Sequence, residues 1–94
     1  MADAVRITEQ SIPRFADEVV FRFDEARERW VILAPERVLM PDEIAVEILK
    51  RCDGASVAAI VDDLARTFQE DADVIRGDVV AMLQDLTDKG VLAA

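Results

Sequence analysis

The chain has 94 residues, 52% of them hydrophobic and 33% charged, with a formal net charge of −9. That length builds one folded domain rather than two, and the composition is that of a soluble globular protein rather than a disordered one. The acidity argues against a surface that grips phosphate backbones or anionic lipid, and leaves two roles open, solubility and the steering of a basic partner.

Residues 1–13 show weak periodicity and end in Pro13. They lack the basic start and continuous apolar run of a secretion signal, so a cytoplasmic location follows by default. They are expected to form an N-terminal arm, a candidate for mobility, ahead of a domain spanning 14–94. Val19, Phe21 and Phe23 then alternate with Val20 and Arg22, the period of a half-buried strand. A charged loop from Asp24 to Arg29 leads to a second apolar run, Trp30 to Ala34, and the two runs read as an antiparallel hairpin of open turn type. Pro35-Glu36 is a turn. Arg37 to Met40 is a third, brief strand stopped by Pro41, and it is expected at a sheet edge because proline cannot donate to a ladder.

From Asp42 the period changes to about 3.6. Ile44, Ala45, Ile48, Leu49 and Cys52 make one helical stripe, with Asp42 as N-cap and Asp53-Gly54 as the stop. Ser56 caps a second helix with the stripe Val57, Ile60, Val61, Leu64 and Phe68. The acidic run Glu70 to Asp73 breaks that pattern and favours the start of a third helix, which carries Ile75, Val79, Met82, Leu83 and Leu86 and closes at Gly90. Val91 and Leu92 are expected to fold back as an apolar tail. The predicted architecture is α+β and winged-helix-like: a three-stranded antiparallel sheet followed by three helices.

Signals of catalysis are absent from the sequence. There is no histidine and no tyrosine, which removes the commonest general base and metal ligand. No Gly-rich phosphate loop, metal-ligand spacing or nucleophile elbow is present, so neither an enzyme nor a cofactor or metal is expected. Cys52 is the only cysteine and falls at an apolar helix position, which favours a buried structural thiol. Asp62, Asp63, Asp78, Asp85 and Asp88 lie mostly on polar helix faces and read as solvated; a buried carboxylate with a raised pKa is what an acid–base enzyme would need. A helix-turn-helix DNA reader is the other alternative, yet its reading helix, Asp71 to Lys89, carries five aspartates against Arg76 and Lys89.

What remains is an exposed strand edge beside an apolar helix, the arrangement that accepts an extended peptide by β-augmentation. Arg37, Val38, Leu39 and Met40 supply the edge. Met82 is a candidate for the groove, where its flexible thioether adapts to varied side chains; ordinary core packing is the alternative for that helical stripe.

The segment Trp30-Val31-Ile32-Leu33-Ala34-Pro35-Glu36 resembles the apolar strand and Pro-Glu turn of PqqD proteins. The ending Cys52-Asp53-Gly54, the Val-rich helix after it, the Asp78-Val79 pair and the closing Lys89-Gly90-Val91-Leu92 are similar to the same family. The likeness runs from about Pro13 to Leu92. It implies a recognition element for ribosomally made peptides: a peptide chaperone and adaptor that binds the precursor PqqA. The element presents PqqA to PqqE, a radical S-adenosylmethionine enzyme with iron–sulfur clusters, on the route to pyrroloquinoline quinone. The resemblance implies no cofactor for the module itself. It places the peptide beside the third strand, Arg37 to Met40, and against Ile75, Asp78, Val79, Met82 and Leu86 of the third helix. Arg37 is then a partner for an acidic ligand residue, and Asp78 for a ligand backbone or basic side chain. Pro41 departs from the family, in which many relatives have an apolar residue, and it shifts the bound register or ends it at Met40. The chain looks like the free-standing form of a module that also occurs fused, with a monomer as the default state and no nucleic acid or membrane as partner. A recognition element serving another peptide pathway stays open, as does, less strongly, a winged-helix DNA-binding regulator.

Overall fold

The computed structural model describes residues 5–94. Five strands and three helices follow one another as β1 (Arg14–Phe15), β2 (Val20–Asp24), β3 (Arg29–Ala34), β4 (Arg37–Leu39), α1 (Glu43–Lys50), α2 (Val57–Phe68), α3 (Ala72–Asp88) and β5 (Leu92–Ala93). The strands β2, β3 and β4 form one antiparallel sheet in that order, with Phe21 opposite Ile32 and Ile32 opposite Leu39. This is the expected three-stranded sheet with its three helices. The hairpin turn is closed by the Asp24 carboxylate, which accepts from the N–H groups of Ala26 (3.0 Å) and Arg27 (3.2 Å).

The helix starts follow their caps. Asp42 accepts from the Ala45 N–H at 2.8 Å, Ser56 from Ala59 at 3.2 Å, and Asp71 from Asp73 at 2.8 Å, each meeting one donor that the first helical turn leaves unpaired. Helix α1 stops at Lys50, earlier than the Gly54 signal implied. Arg51 and Cys52 donate to the carbonyls of Ile48 and Leu49 at 3.1 Å each, so the last turn tightens to the i−3 pattern and Cys52 still reaches the core. Helix α2 ends on Gln69, whose φ of 54° lies in the left-handed region.

Gly90 performs the closure expected of it. At φ 79° it donates to Thr87 (3.0 Å), and Val91 donates to Leu86 (2.9 Å), the paired bonds of a Schellman stop. The chain reverses there, so Val91 and Leu92 enter the core beside Leu86. A further consequence was not visible in the sequence: Leu92 pairs with Phe15 and Ala93 with Arg14, making a second, two-stranded sheet of β1 and β5.

The core lies between the β2–β3–β4 sheet and the helices, around Ile32, Ile48, Leu49, Val57, Ile60 and Leu83, all 2% exposed or less. Burial of each such side chain is worth about 1.5–3 kcal/mol. Residues 5–13 lie against the helices; residues 1–4 of the expected arm are outside the described residues. Ile7 is buried in the core, the Ile7 N–H donates to Gln84 on α3 (2.8 Å), and Gln84 donates to the Val5 carbonyl (2.7 Å). The carbonyls of Ser11 and Glu9 accept from Val57 and Ala58, the first amides of α2, at 2.8 and 3.0 Å. Isolated apolar anchors and backbone bonds carry this docking, and neither leaves a periodic trace in sequence.

Two expectations follow. No atom lies near the position of a Gly90 Cβ, so Gly90→Ala costs only the left-handed backbone, about 1 kcal/mol, seen as a lower urea midpoint with unchanged slope. Burial pushes the Cys52 thiol up to about 12, so it stays protonated at pH 8. Its reaction with a thiol reagent should therefore proceed at the rate of protein opening and accelerate with urea.

Candidate functional site

Strand β4 closes one side of its sheet, and among the described residues no strand pairs with its outer edge. The chain's own N-terminal segment lies elsewhere: β1 is held by β5, and residues 5–13 by α2 and α3. The row of backbone donors and acceptors along Arg37–Leu39 is thus open, the condition for adding a strand.

Strand alternation sets the two faces. Ile32 points into the core, so Leu39 opposite it does too, and Leu39 is half-buried against the core. Val38 faces the other way with Leu33 and is 54% exposed. Arg37 and Met40 are exposed. Arg37 has no ion pair among the described residues, whereas Arg51 is held by Glu47 and Asp63 and Arg76 by Glu9 and Asp73.

The five helix positions divide in two. Met82 and Leu86 meet Leu39, Met40 and Pro41 around a depression of about 170 Å³ between β4 and the second half of α3. Ile75, Asp78 and Val79 sit farther towards the start of α3 and line a larger open cleft of about 1100 Å³, with α1, the end of α2 and the far end of the β2–β3 hairpin. Pro41 borders both. Val79 and Leu86 are buried core residues that form floors; Ile75 and Met82 are half-buried at the core margin; Asp78 is exposed. Arg37 and Val38 line neither depression.

Ile44 and Phe68 were expected within buried stripes, and the structure corrects both. They are 67% and 50% exposed, because each sits at a helix end that overhangs the larger cleft instead of the core. Val46 takes the buried place in α1. The only tryptophan, Trp30, also lines the cleft, stacked on Phe21 (4.7 Å between centroids) with the Lys50 ammonium 5.3 Å from its ring.

The electrostatics do not suit acid–base work by these carboxylates. Asp63 and Glu47 are held below the usual carboxylate range, in each case chiefly by a hydrogen bond from Arg51, and Asp24 likewise by one from Arg27. They stay ionised at neutral pH, the opposite of what a general acid requires. No polar or charged side chain among the described residues is buried, and no group of three metal-ligand residues is found among them.

The chain resembles known proteins over most of its length. Residues 29–92 match the family model of coenzyme PQQ synthesis protein D, PqqD. The chain belongs to the PqqD family. A relative from Rhodopseudomonas palustris strain HaA2, named PqqA binding protein, is 61% identical over 89 residues that cover 94% of this chain and 87% of the relative. Among solved structures, the PqqD truncation of Methylobacterium extorquens PqqCD is 38% identical with a TM-score of 0.80, over 94% of this chain and 95% of that one. It is described as a functional, stand-alone recognition element for ribosomally synthesized and post-translationally modified peptides. Lasso peptide synthetase B1, solved with a leader peptide, has the same fold at 18% identity, with a TM-score of 0.77 over 89% of this chain and all of that one. The PqqD fold thus accounts for the sheet and three helices read from sequence.

In hydrogen exchange on the free protein, amides on the outer edge of β4 should exchange within seconds to minutes, while those of Val31 and Ile32 in the central strand approach the protection of global unfolding. Slow exchange along all of β4 would show that its edge is covered.

Proposed function

We propose that this protein is a peptide chaperone that takes the ribosomal precursor PqqA as an added strand along β4 and presents it to the radical S-adenosylmethionine enzyme PqqE. One observation carries the reading: the β4 edge is open beside the apolar wall of α3, while the chain's own N-terminal segment is docked on other elements. The relatives named PqqA binding protein support the identity of the ligand.

In this arrangement the ligand backbone pairs with Arg37–Leu39, its side chains on the helix side drop towards Met82 and Leu86, and Pro41 ends the ladder by withholding a donor. Arg37, free of an ion pair, meets an acidic ligand residue; Asp78 meets a backbone amide or a basic side chain. The module holds the peptide extended and supplies no chemistry, acting as a cytoplasmic monomer without a cofactor. No helix among the described residues is long and apolar enough to cross a membrane. A role in reading DNA is disfavoured by α3 itself, whose exposed face presents Asp73, Asp78, Asp85 and Asp88 to the phosphates it would have to approach.

Magnitudes show how the binding divides. Three strand residues give about two or three new backbone hydrogen bonds, each worth about 0.5–1.5 kcal/mol net. Micromolar affinity needs about 8 kcal/mol beyond the cost of association. Apolar side chains of the ligand must therefore supply most of the affinity, and the ladder supplies direction and register.

Titration of labelled protein with synthetic PqqA should move the amide signals of β4 and α3 and slow exchange at the β4 edge. Met82→Asp, and separately Leu39→Asp, should weaken binding at least about tenfold by calorimetry, with circular dichroism confirming the fold. Shifts confined to residues 5–13 would place the ligand elsewhere and end this reading.

A further inference from the structure

The larger cleft has walls that neither the sheet edge nor the fold requires. Ile44 from the first turn of α1, Phe68 from the end of α2 and Val74 from the start of α3 project into it at 67%, 50% and 62% exposure, and Phe23 and Trp30 close it from the hairpin. Large apolar side chains are rarely left this open together without a partner. The cleft adjoins the β4 groove: Pro41 borders both and α3 forms a wall of each.

Charge narrows what fits. Glu43, Glu70 and Asp78 line the helical side, and none has an ion pair among the described residues. Of the three cations at the cleft, Arg27 is engaged with Asp24 and Lys50 with Glu47 and the Trp30 ring, while Arg29 on the hairpin has no ion pair among the described residues; the acidic groups Glu28, Asp42, Glu43, Glu47, Glu70 and Asp78 still outnumber them. A ligand segment that is apolar and basic complements such a site, and an acidic one is repelled.

We propose that this cleft is a second anchor site for the same peptide: past the end of the β4 ladder, a segment carrying a bulky apolar side chain beside a lysine or arginine seats between Phe68, Val74 and Ile44. This rests on the peptide-binding reading above and adds to it a separate contact that the strand edge does not make. It also answers the shortfall of a three-residue ladder, because a second apolar contact on one flexible ligand acts at high effective concentration.

The test uses the full chain with 5-fluorotryptophan at Trp30, synthetic PqqA, and PqqA peptides shortened from either end. Phe68→Ser and Val74→Ser change exposed side chains, and urea midpoints verify that they fold. Expected results are a fluorine shift at Trp30 with full-length peptide and about tenfold weaker binding by each variant. One shortened peptide should bind wild type and variants equally and leave Trp30 unmoved. Glu70→Lys should weaken the full-length peptide and spare that shortened one. The proposal is overturned if both serine variants bind full-length peptide within twofold of wild type while β4 amides still shift, an outcome that leaves the strand-edge reading intact. It is also overturned if the variants alter sedimentation but not peptide affinity, since the cleft would then join copies of this chain. Absence of any peptide binding by the wild type overturns both readings.

Discussion

The openness of β4 depends on where the chain sends its own spare strands. The Schellman stop at Gly90 turns the C-terminus back on α3, which brings Leu92 and Ala93 beside Phe15 and Arg14. That pairing occupies β1. The segment before it is fixed by Gln84 and by the first amides of α2, which would otherwise lack partners. The N-terminal residues are thus engaged away from the sheet edge, Arg14 and Phe15 by the returning tail and the segment before them by α2 and α3.

The rest of the site follows from the way two periods meet. Alternation along β4 sends Leu39 inward and leaves its backbone at the rim, while the helical period of α3 places Met82 and Leu86 alongside it and Asp78 just outside. Side chains that serve the core thus also form the floor of the groove. Leu86 in that floor is buried too deeply to be removed without loss of stability, whereas Met82 beside it is half-buried at the core margin and can change at lower cost.

Much of this was legible in the residues. The three main strands and three helices show periods of two and of 3.6, and Asp42, Ser56 and Gly90 mark their boundaries by hydrogen-bonding capacity and backbone freedom. Pro41 identified the edge strand. The two-residue strands β1 and β5 were not legible, since two residues have no period and their pairing is set only by the tertiary return of the tail. Gln69 was missed as a helix stop because a non-glycine in the left-handed region is specified by its surroundings. The larger cleft was hidden for a related reason. Ile44 and Phe68 satisfy the spacing of a core stripe, and only the lengths and packing of the helices reveal that they overhang.

Pro41 carries one more implication. A bare strand edge invites copies of a protein to stack into sheets. Here the edge is three residues long, begins at a charged Arg37 and runs into a residue that cannot donate. Two such edges meeting would make only a few backbone bonds with each other. Brevity and the closing proline limit how far one bare edge can extend onto another.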